Sequence, residues 1–214
     1  MTRKELAGVV TELLKKEYPE VKCTLEYSQP HEMLFATQMS AQCTDARVNI
    51  VTKDLFKKYK TVEDFANADY DELCEDIRST GFYRNKAKNI ISAARRMLDV
   101  YNGEVPDTME DLLTLPGTGR KTANLVLGDI YKKPAIVADT HCIRICGRLG
   151  FYSEELKDPY KVELILSELC EAQKQSELCH RLVFFGRDIC SARAPKCAEC
   201  PLCALCDRYK RSMK

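Results

Sequence analysis

Residues 115–124 read LPGTGRKTAN and lie between two segments whose apolar residues repeat at helical spacing. Pro116 ends the first helix, and Gly117 and Gly119 allow backbone conformations that other residues do not adopt. The main-chain N–H groups at the start of the second helix then face outward, where they can bind a phosphate group. The segment therefore predicts a helical hairpin that contacts nucleic-acid backbone through Gly117, Gly119 and Arg120, without selecting a base.

A plain αα-hairpin is the alternative, because turns between packed helices are also often rich in glycine. An isolated Gly-x-Gly would not separate the two interpretations. The full string, with Leu-Pro before the glycines and Arg-Lys-Thr-Ala after them, is much more specific. We therefore favour the nucleic-acid hairpin.

Outward from the hairpin, nearly every segment has helical spacing. Thr2-x-x-Glu5 has the form of a capping box, Thr61-x-x-Asp64 opens another helix, and Asn102-Gly103 is typical of a helix end. A further helix is expected from just after Gly119 to about Lys132. No segment alternates apolar and polar residues with a period of two, so a sheet is not expected. The predicted fold class is all-α, without internal repeats.

Lys121 follows the hairpin glycines in the first turn of the second helix. The helix dipole and a loss of water would both disfavour the ammonium form there. A neutral lysine amine is a good nucleophile toward carbon and can form a Schiff base. An ion pair between Lys121 and a phosphate is an equally simple interpretation, and the hairpin alone does not decide between them.

Asp139 favours the catalytic interpretation. The run Ile136-Val137-Ala138 delivers its carboxylate to the start of the next helix. An N-cap is a sufficient reason for Asp at this position, but a capping carboxylate held ionised near a sugar can also stabilise positive charge and move protons. His141 is expected to contact phosphate or to shape the pocket, although a lone His is more often a packing or surface residue.

Five of the twelve cysteines lie within seventeen residues near the C-terminus. Four have the spacing Cys-x6-Cys-x2-Cys-x5-Cys, which suits a tetrahedral zinc ion or an iron–sulfur cubane. Cys203 also forms ligand-like pairs with its neighbours, and composition alone does not choose the metal. Either metal would hold a basic loop in which Arg193 and Lys196 are placed for phosphate. The four spaced cysteines are Cys190, Cys197, Cys200 and Cys206.

The bulk composition is that of a globular protein with local charge. The chain has 214 residues, a net charge of +1, 45% apolar residues and 30% charged residues. Basic residues outnumber acidic ones from Arg187 to Lys214, a pattern that suits a face meeting phosphate. The apolar runs are too short for a membrane span, and the start MTRKELAGVV has no signal-peptide core. We therefore expect an intracellular (cytoplasmic) protein.

Together these residues resemble the endonuclease III family of helix–hairpin–helix DNA glycosylases, over essentially the whole chain. The combination of motifs is highly specific. It comprises SAQCTD at 40–45, GFYRNKA at 81–87, NGEVP at 102–106, LPGTGRKTAN at 115–124, VADTH at 137–141 and the cysteine loop.

The resemblance implies two helical domains, one at 23–133 containing the hairpin and one built from 1–22 plus 134–214. It implies a 4Fe–4S cluster held by Cys190, Cys197, Cys200 and Cys206, with Cys203 as a bystander. It further implies that Lys121 attacks the sugar C1′ and that Asp139 is the catalytic carboxylate. Gln42 would enter the space of the flipped nucleotide, and Phe82, where members often have Leu, would wedge against the opposite strand.

The implied function is removal of oxidised pyrimidines from damaged double-stranded DNA, followed by strand cleavage. We expect a monomer, because one protein face meeting one lesion needs no symmetry. A mismatch or alkylbase glycosylase of the same fold is an alternative, but several of those lack a lysine at the hairpin position. A metal-stapled DNA-binding module without catalysis is a second alternative. Such a module would not need Lys121 together with Asp139.

Overall fold

The computed structural model describes residues 1–213, and the regular secondary structure in that part of the chain is entirely helical. The all-α prediction is confirmed. No helix among the described residues is both long and apolar enough to cross a membrane. The α-helices, numbered α1 to α12 in chain order, are Arg3–Glu17, Pro30–Met39, Asp45–Lys58, Val62–Ala66, Tyr70–Asp76, Tyr83–Tyr101, Met109–Leu113, Arg120–Asp129, Thr140–Leu149, Pro159–Leu169, Gln175–Asp188 and Asp207–Ser212.

Side-chain caps start many of these helices where the sequence predicts them. The capping box at Thr2 is present: the Glu5 N–H donates to the threonine hydroxyl (3.2 Å), and the Thr2 N–H donates to the Glu5 carboxylate (2.8 Å). Thr61 and Asp64 form a second capping box at α4. At the end of α6, Asn102 and Gly103 take the left-handed conformation, with φ of 52° and 80°. These local signals fixed helix boundaries correctly.

The described chain divides into two compact units. Unit 1 comprises residues 1–22 together with those from 132 onward, and unit 2 comprises residues 23–131. Unit 2 is a continuous segment containing α2 to α8. Unit 1 joins α1 to the helices from α9 to α12.

Aromatic packing forms part of the core of unit 2. Phe65 of α4 is fully buried, with its ring centroid 4.6 Å from that of Phe35 and 5.2 Å from that of Tyr59. Rings of this size contribute large apolar areas and prefer such tilted contacts. This cluster fixes α2, α3 and α4 against one another.

A buried arginine joins α1 to α11 in unit 1. Arg181 is 2% exposed. Its Nε donates to the main-chain carbonyl of Tyr18 (3.0 Å), just beyond the end of α1, and its Nη1 pairs with Glu177 (2.8 Å). The two ends of the discontinuous unit are thereby held by charge-assisted hydrogen bonds.

The turn before α8 is held by contacts within unit 2. Gly117 has a φ of +77°, a region that favours glycine. The Gln38 side chain of α2 donates to the Pro116 carbonyl (3.0 Å) and to the Thr118 hydroxyl (3.1 Å). Helix α8 then ends at Asp129, three residues before the predicted Lys132, and Lys132 itself has a left-handed φ of 53° that a right-handed helix cannot contain.

The two hairpin glycines are expected to differ in their tolerance of a side chain. A Cβ at Gly117 would lie 2.8 Å from the Cβ of Asn89 and would also meet the positive φ, whereas a Cβ at Gly119 meets nothing within 4 Å. Gly117→Ala should therefore lower the free energy of unfolding by about 2 kcal/mol. Gly119→Ala should lower it by less than about 1 kcal/mol. Chemical denaturation measures both, and equal losses would contradict this account of the turn.

Candidate active site and cysteine-lined cavity

The predicted hairpin leaves the start of α8 open. Gly119 is the N-cap, with extended backbone and no side chain to pair the first main-chain N–H groups. Lys121 is the second residue of the helix, as predicted, and its side chain is exposed. The loss of water expected at Lys121 is thus not seen in the protein alone. The hairpin thus presents main-chain N–H groups that no side chain caps, together with the exposed amine of Lys121.

Gln42 and Phe82, also in unit 2, share an unusual backbone conformation. Both are left-handed, with φ of 56° and 49°, and both side chains are exposed, Phe82 by 66%. A left-handed conformation costs a residue with a side chain roughly 1–2 kcal/mol. Such strain persists only where the surroundings hold it, and it concentrates at functional sites. Each residue projects its side chain from a short turn that follows a helix or a 3₁₀ turn.

Asp139, in unit 1, is the N-cap of α9, as predicted. Its carboxylate accepts a hydrogen bond from the Cys142 N–H (2.7 Å), and the residue is half-buried. The Val137 N–H donates to the sulfur of Cys179 (3.3 Å), which anchors the segment leading to the carboxylate. A hydrogen bond to Cys142 and burial both raise the pKa of Cys179 well above its usual range, so the anchor stays a neutral thiol. The rotamer and position of Asp139 are thus set by main-chain contacts on both sides.

His141 packs inside unit 1. The guanidinium of Arg144 lies 3.1 Å from its Nδ1, and the same group donates to the Cys190 carbonyl (3.0 Å). Gly186 of α11 leaves the space that the imidazole occupies, because a Cβ there would overlap the ring. The packing role weighed in the sequence analysis is therefore present, and a phosphate contact by His141 stays a prediction.

A cavity of about 240 Å³ opens within unit 1, beside the C-terminal cysteine loop. Its size far exceeds the ~10–15 Å³ that admits one water molecule. Among residues 1–213, no three His, Cys, Asp or Glu side chains are grouped so as to hold a metal ion. The lining includes all five cysteines of the loop, namely Cys190, Cys197, Cys200, Cys203 and Cys206.

Arg148 of α9 supplies a buried positive charge to this cavity, and the sequence analysis did not identify it. It is 4% exposed, and its Nη1 donates to the sulfur of Cys190 (3.3 Å) and to the Ser191 carbonyl (2.7 Å). Burial raises the pKa of Cys200 to about 11. A cation beside several sulfurs in a roomy cavity fits an anionic, thiolate-bound group. The sequence signal that could have identified Arg148 is its position among the apolar residues of an amphipathic helix, where a charged side chain needs a buried partner.

The basic C-terminal segment is partly neutralised by acidic partners. Arg208 and Arg211 both pair with Glu154, and Lys196 lies 3.9 Å from Asp188. Arg193 and Lys196 are exposed between the first two loop cysteines, where the sequence places them. Fewer basic residues of this segment are therefore available for a basic face than the excess of basic over acidic residues from Arg187 onward suggested. Lys214 lies outside the described residues.

Comparisons with known proteins agree on one family. The model of the HhH-GPD superfamily of base excision DNA repair proteins matches residues 35–172. Endonuclease III of Bacillus subtilis (strain 168) is 47% identical over 199 residues, covering 92% of this chain and 90% of that protein. Endonuclease III of Synechocystis sp. is 44% identical over 212 residues, covering 99% of this chain and 96% of that protein.

Solved structures give the same result. A trapped covalent intermediate of endonuclease III with DNA, an estranged-adenine complex, is 43% identical and superposes with a TM-score of 0.92, covering 100% of both chains. A thermostable thymine-DNA glycosylase, 24% identical with a TM-score of 0.89, covers 97% of this chain and 98% of its own and shares the fold. The chain therefore belongs to the HhH-GPD superfamily of base excision DNA repair proteins and, within it, to the endonuclease III family.

Proposed function

We propose that this protein is a bifunctional DNA glycosylase and AP lyase that removes oxidised or saturated pyrimidines, such as thymine glycol, from double-stranded DNA. The observation that carries the proposal is the exposed amine of Lys121 in the first turn of α8, beside main-chain amides that no side chain caps. The amides bind the DNA backbone, and the amine performs the chemistry at the sugar held there. A related endonuclease III has been trapped as a covalent intermediate with DNA, which supports this choice.

Binding begins with the backbone and ends with one extruded nucleotide. Gly117, Gly119 and Arg120 contact the phosphates, assisted by Arg193 and Lys196. Enzymes that act on a base in duplex DNA must first take it out of the stack. Gln42 then occupies the vacated space, and Phe82 wedges against the opposite strand. The large ring of Phe82 is 66% exposed and therefore available for stacking.

The chemical steps use one amine. Once its ammonium group has lost a proton, the Lys121 nitrogen attacks C1′ of the sugar as the C1′–N bond to the damaged base breaks, and the base leaves with a proton. The sugar ring opens to give an imine between Lys121 and C1′. Removal of a proton from C2′ then expels the 3′ phosphate, so the strand is cut on that side of the lesion.

Asp139 acts on the charge that develops at the sugar. Its carboxylate is fixed by the Cys142 N–H and stabilises positive charge at C1′ as the base departs. It also moves the proton from the attacking amine. We place His141 at a flanking phosphate.

The cysteine loop holds a 4Fe–4S cluster in this proposal, with Cys190, Cys197, Cys200 and Cys206 as ligands. A bound cluster would fix the conformation of the loop that presents Arg193 and Lys196 to DNA. The two compact units are the two domains of the enzyme. The protein acts as a monomer inside the cell, where its DNA substrate is, and one protein face meets one lesion without need of symmetry.

The lysine is tested by reduction of its imine. With a duplex containing thymine glycol or an abasic site, borohydride should trap a covalent protein–DNA adduct that runs as a retarded band on a denaturing gel. Lys121→Gln should abolish this adduct, whereas Lys53→Gln, a change at another exposed lysine, should leave it intact. An adduct that survives Lys121→Gln would assign the nucleophile elsewhere.

Asp139→Asn separates the catalytic role of the carboxylate from its capping role. Asn also caps helices well, so α9 and DNA binding should be retained. Single-turnover release of thymine glycol should fall by roughly a hundredfold or more, because the amide has no negative charge to stabilise the positive charge at C1′. Asp139→Ala is the comparison for loss of the cap itself. Unchanged base release in Asp139→Asn would leave this residue with a structural role alone.

The cofactor is tested by colour and metal content. The purified protein should be brown, with absorbance near ~400 nm from thiolate-bound iron. Serine at any of the four proposed ligands should lower iron content, whereas Cys203→Ser should retain both iron and colour. A colourless protein containing one zinc per chain would refute the cluster, and loss of iron in Cys203→Ser would revise the ligand set.

A further inference from the structure

Lys86 is a buried lysine that the chemistry proposed above does not use. It lies near the start of α6 and is 6% exposed. A lysine is almost never fully buried without compensating partners. Burial lowers the pKa of Lys86 from its usual value, which shows that its surroundings do not favour the charged form by solvation. The burial of Lys86 is therefore explained only by the hydrogen bonds that its ammonium group makes.

The Lys86 ammonium joins two separate parts of unit 2. Its Nζ donates to the main-chain carbonyl of Met39 (2.7 Å) and to that of Thr80 (2.8 Å). Side chains in a helix lean toward its N-terminus, so Lys86 reaches back past the beginning of α6. Met39 ends α2, where carbonyls lack partners within the helix, and Thr80 ends a 3₁₀ turn. One ammonium group thus pairs the carbonyl at the end of α2 and the carbonyl at the end of the 3₁₀ turn.

Met39 and Thr80 each lie just before a turn, and these two turns carry Gln42 and Phe82. Gln42 follows Met39 by three residues, and Phe82 follows Thr80 by two. Both residues are held in the left-handed conformation, a state that the surroundings must maintain. Lys86 is the described side chain whose hydrogen bonds reach both carbonyls.

We propose that Lys86 is a positioning residue for entry into the duplex: its ammonium group sets the separation of the two turns, so that Gln42 and Phe82 enter together around one extruded nucleotide. The proposal rests on the proposed function for the role of those two side chains. It makes Lys86 a part of lesion recognition that touches no DNA. A simple helix-end role would instead stabilise the fold without affecting the two turns specifically.

The first test uses the protein without DNA. Hydrogen exchange is compared for the wild type, Lys86→Met and the control Lys88→Met, which changes an exposed lysine on the same helix. Lys86→Met should speed exchange by about tenfold in both 39–45 and 79–84, since those turns lose their shared anchor. Lys88→Met should change neither. Unchanged exchange in either segment of Lys86→Met would overturn the proposal.

The second test asks whether Lys86 acts through Gln42 and Phe82. Single-turnover release of thymine glycol is measured for Lys86→Met in the wild-type background and in the Gln42→Ala/Phe82→Ala background, below the unfolding temperature of every variant. The loss should be about tenfold in the first background and less than about twofold in the second, because coupled residues are not additive. Lys86→Arg, which keeps a cation with N–H donors, should recover part of the rate. Equal losses in both backgrounds would overturn the proposal.

The two tests fail separately. If the wild type releases no base from any lesion-bearing duplex, the proposed function is wrong, and the exchange comparison still decides whether Lys86 holds the two turns. If the wild type is active but the exchange of either turn is unaffected by Lys86→Met, the enzyme assignment stands and the positioning role is wrong.

Discussion

The main-chain groups at helix ends impose the constraint that organises this protein. A helix leaves its first N–H groups and its last carbonyls without internal partners, and each must be paired or reach solvent. In most of the described helices a Thr or Asp side chain closes the N-terminus, as at Thr2, Thr61 and Asp139. Helix α8 begins instead at Gly119 and stays open. No side chain caps α6, α11 or α12 either, so what distinguishes α8 is the glycine turn before it.

Three buried cations also pair with main-chain carbonyls. Arg181 donates to the carbonyl of Tyr18, Lys86 to that of Met39, and Arg148 to that of Ser191. Tyr18 and Met39 lie at the C-terminal ends of α1 and α2, whereas Ser191 lies in the loop that follows α11. Because the pairing is to backbone, it constrains the path of the chain rather than the identity of a side chain. Arg148 also donates to the sulfur of Cys190, which extends the arrangement to the cysteine-lined cavity.

Much of this architecture could be predicted from the sequence because the signals are local. Caps and helix stops act over three or four residues, so Thr2, Asn102 and Asp139 were placed correctly. The cations were missed because their partners are distant: Lys86 lies 47 residues from Met39, and Arg148 lies 42 from Cys190. Helix periodicity shows that such a residue is buried but not which carbonyl it meets. Solvent exposure of Lys121 was likewise a tertiary property that spacing does not contain.

The discontinuity of unit 1 affects the order in which the chain can fold during synthesis. Unit 2 is complete once residue 131 has been made, so its helices can pack while the ribosome is still working. Helix α1 is translated before unit 2, yet the partners of its C-terminal end, Arg181 and Asp188, belong to α11, which is translated after unit 2. The native packing of α1 against α11 can therefore form only after the whole of unit 2 has been made.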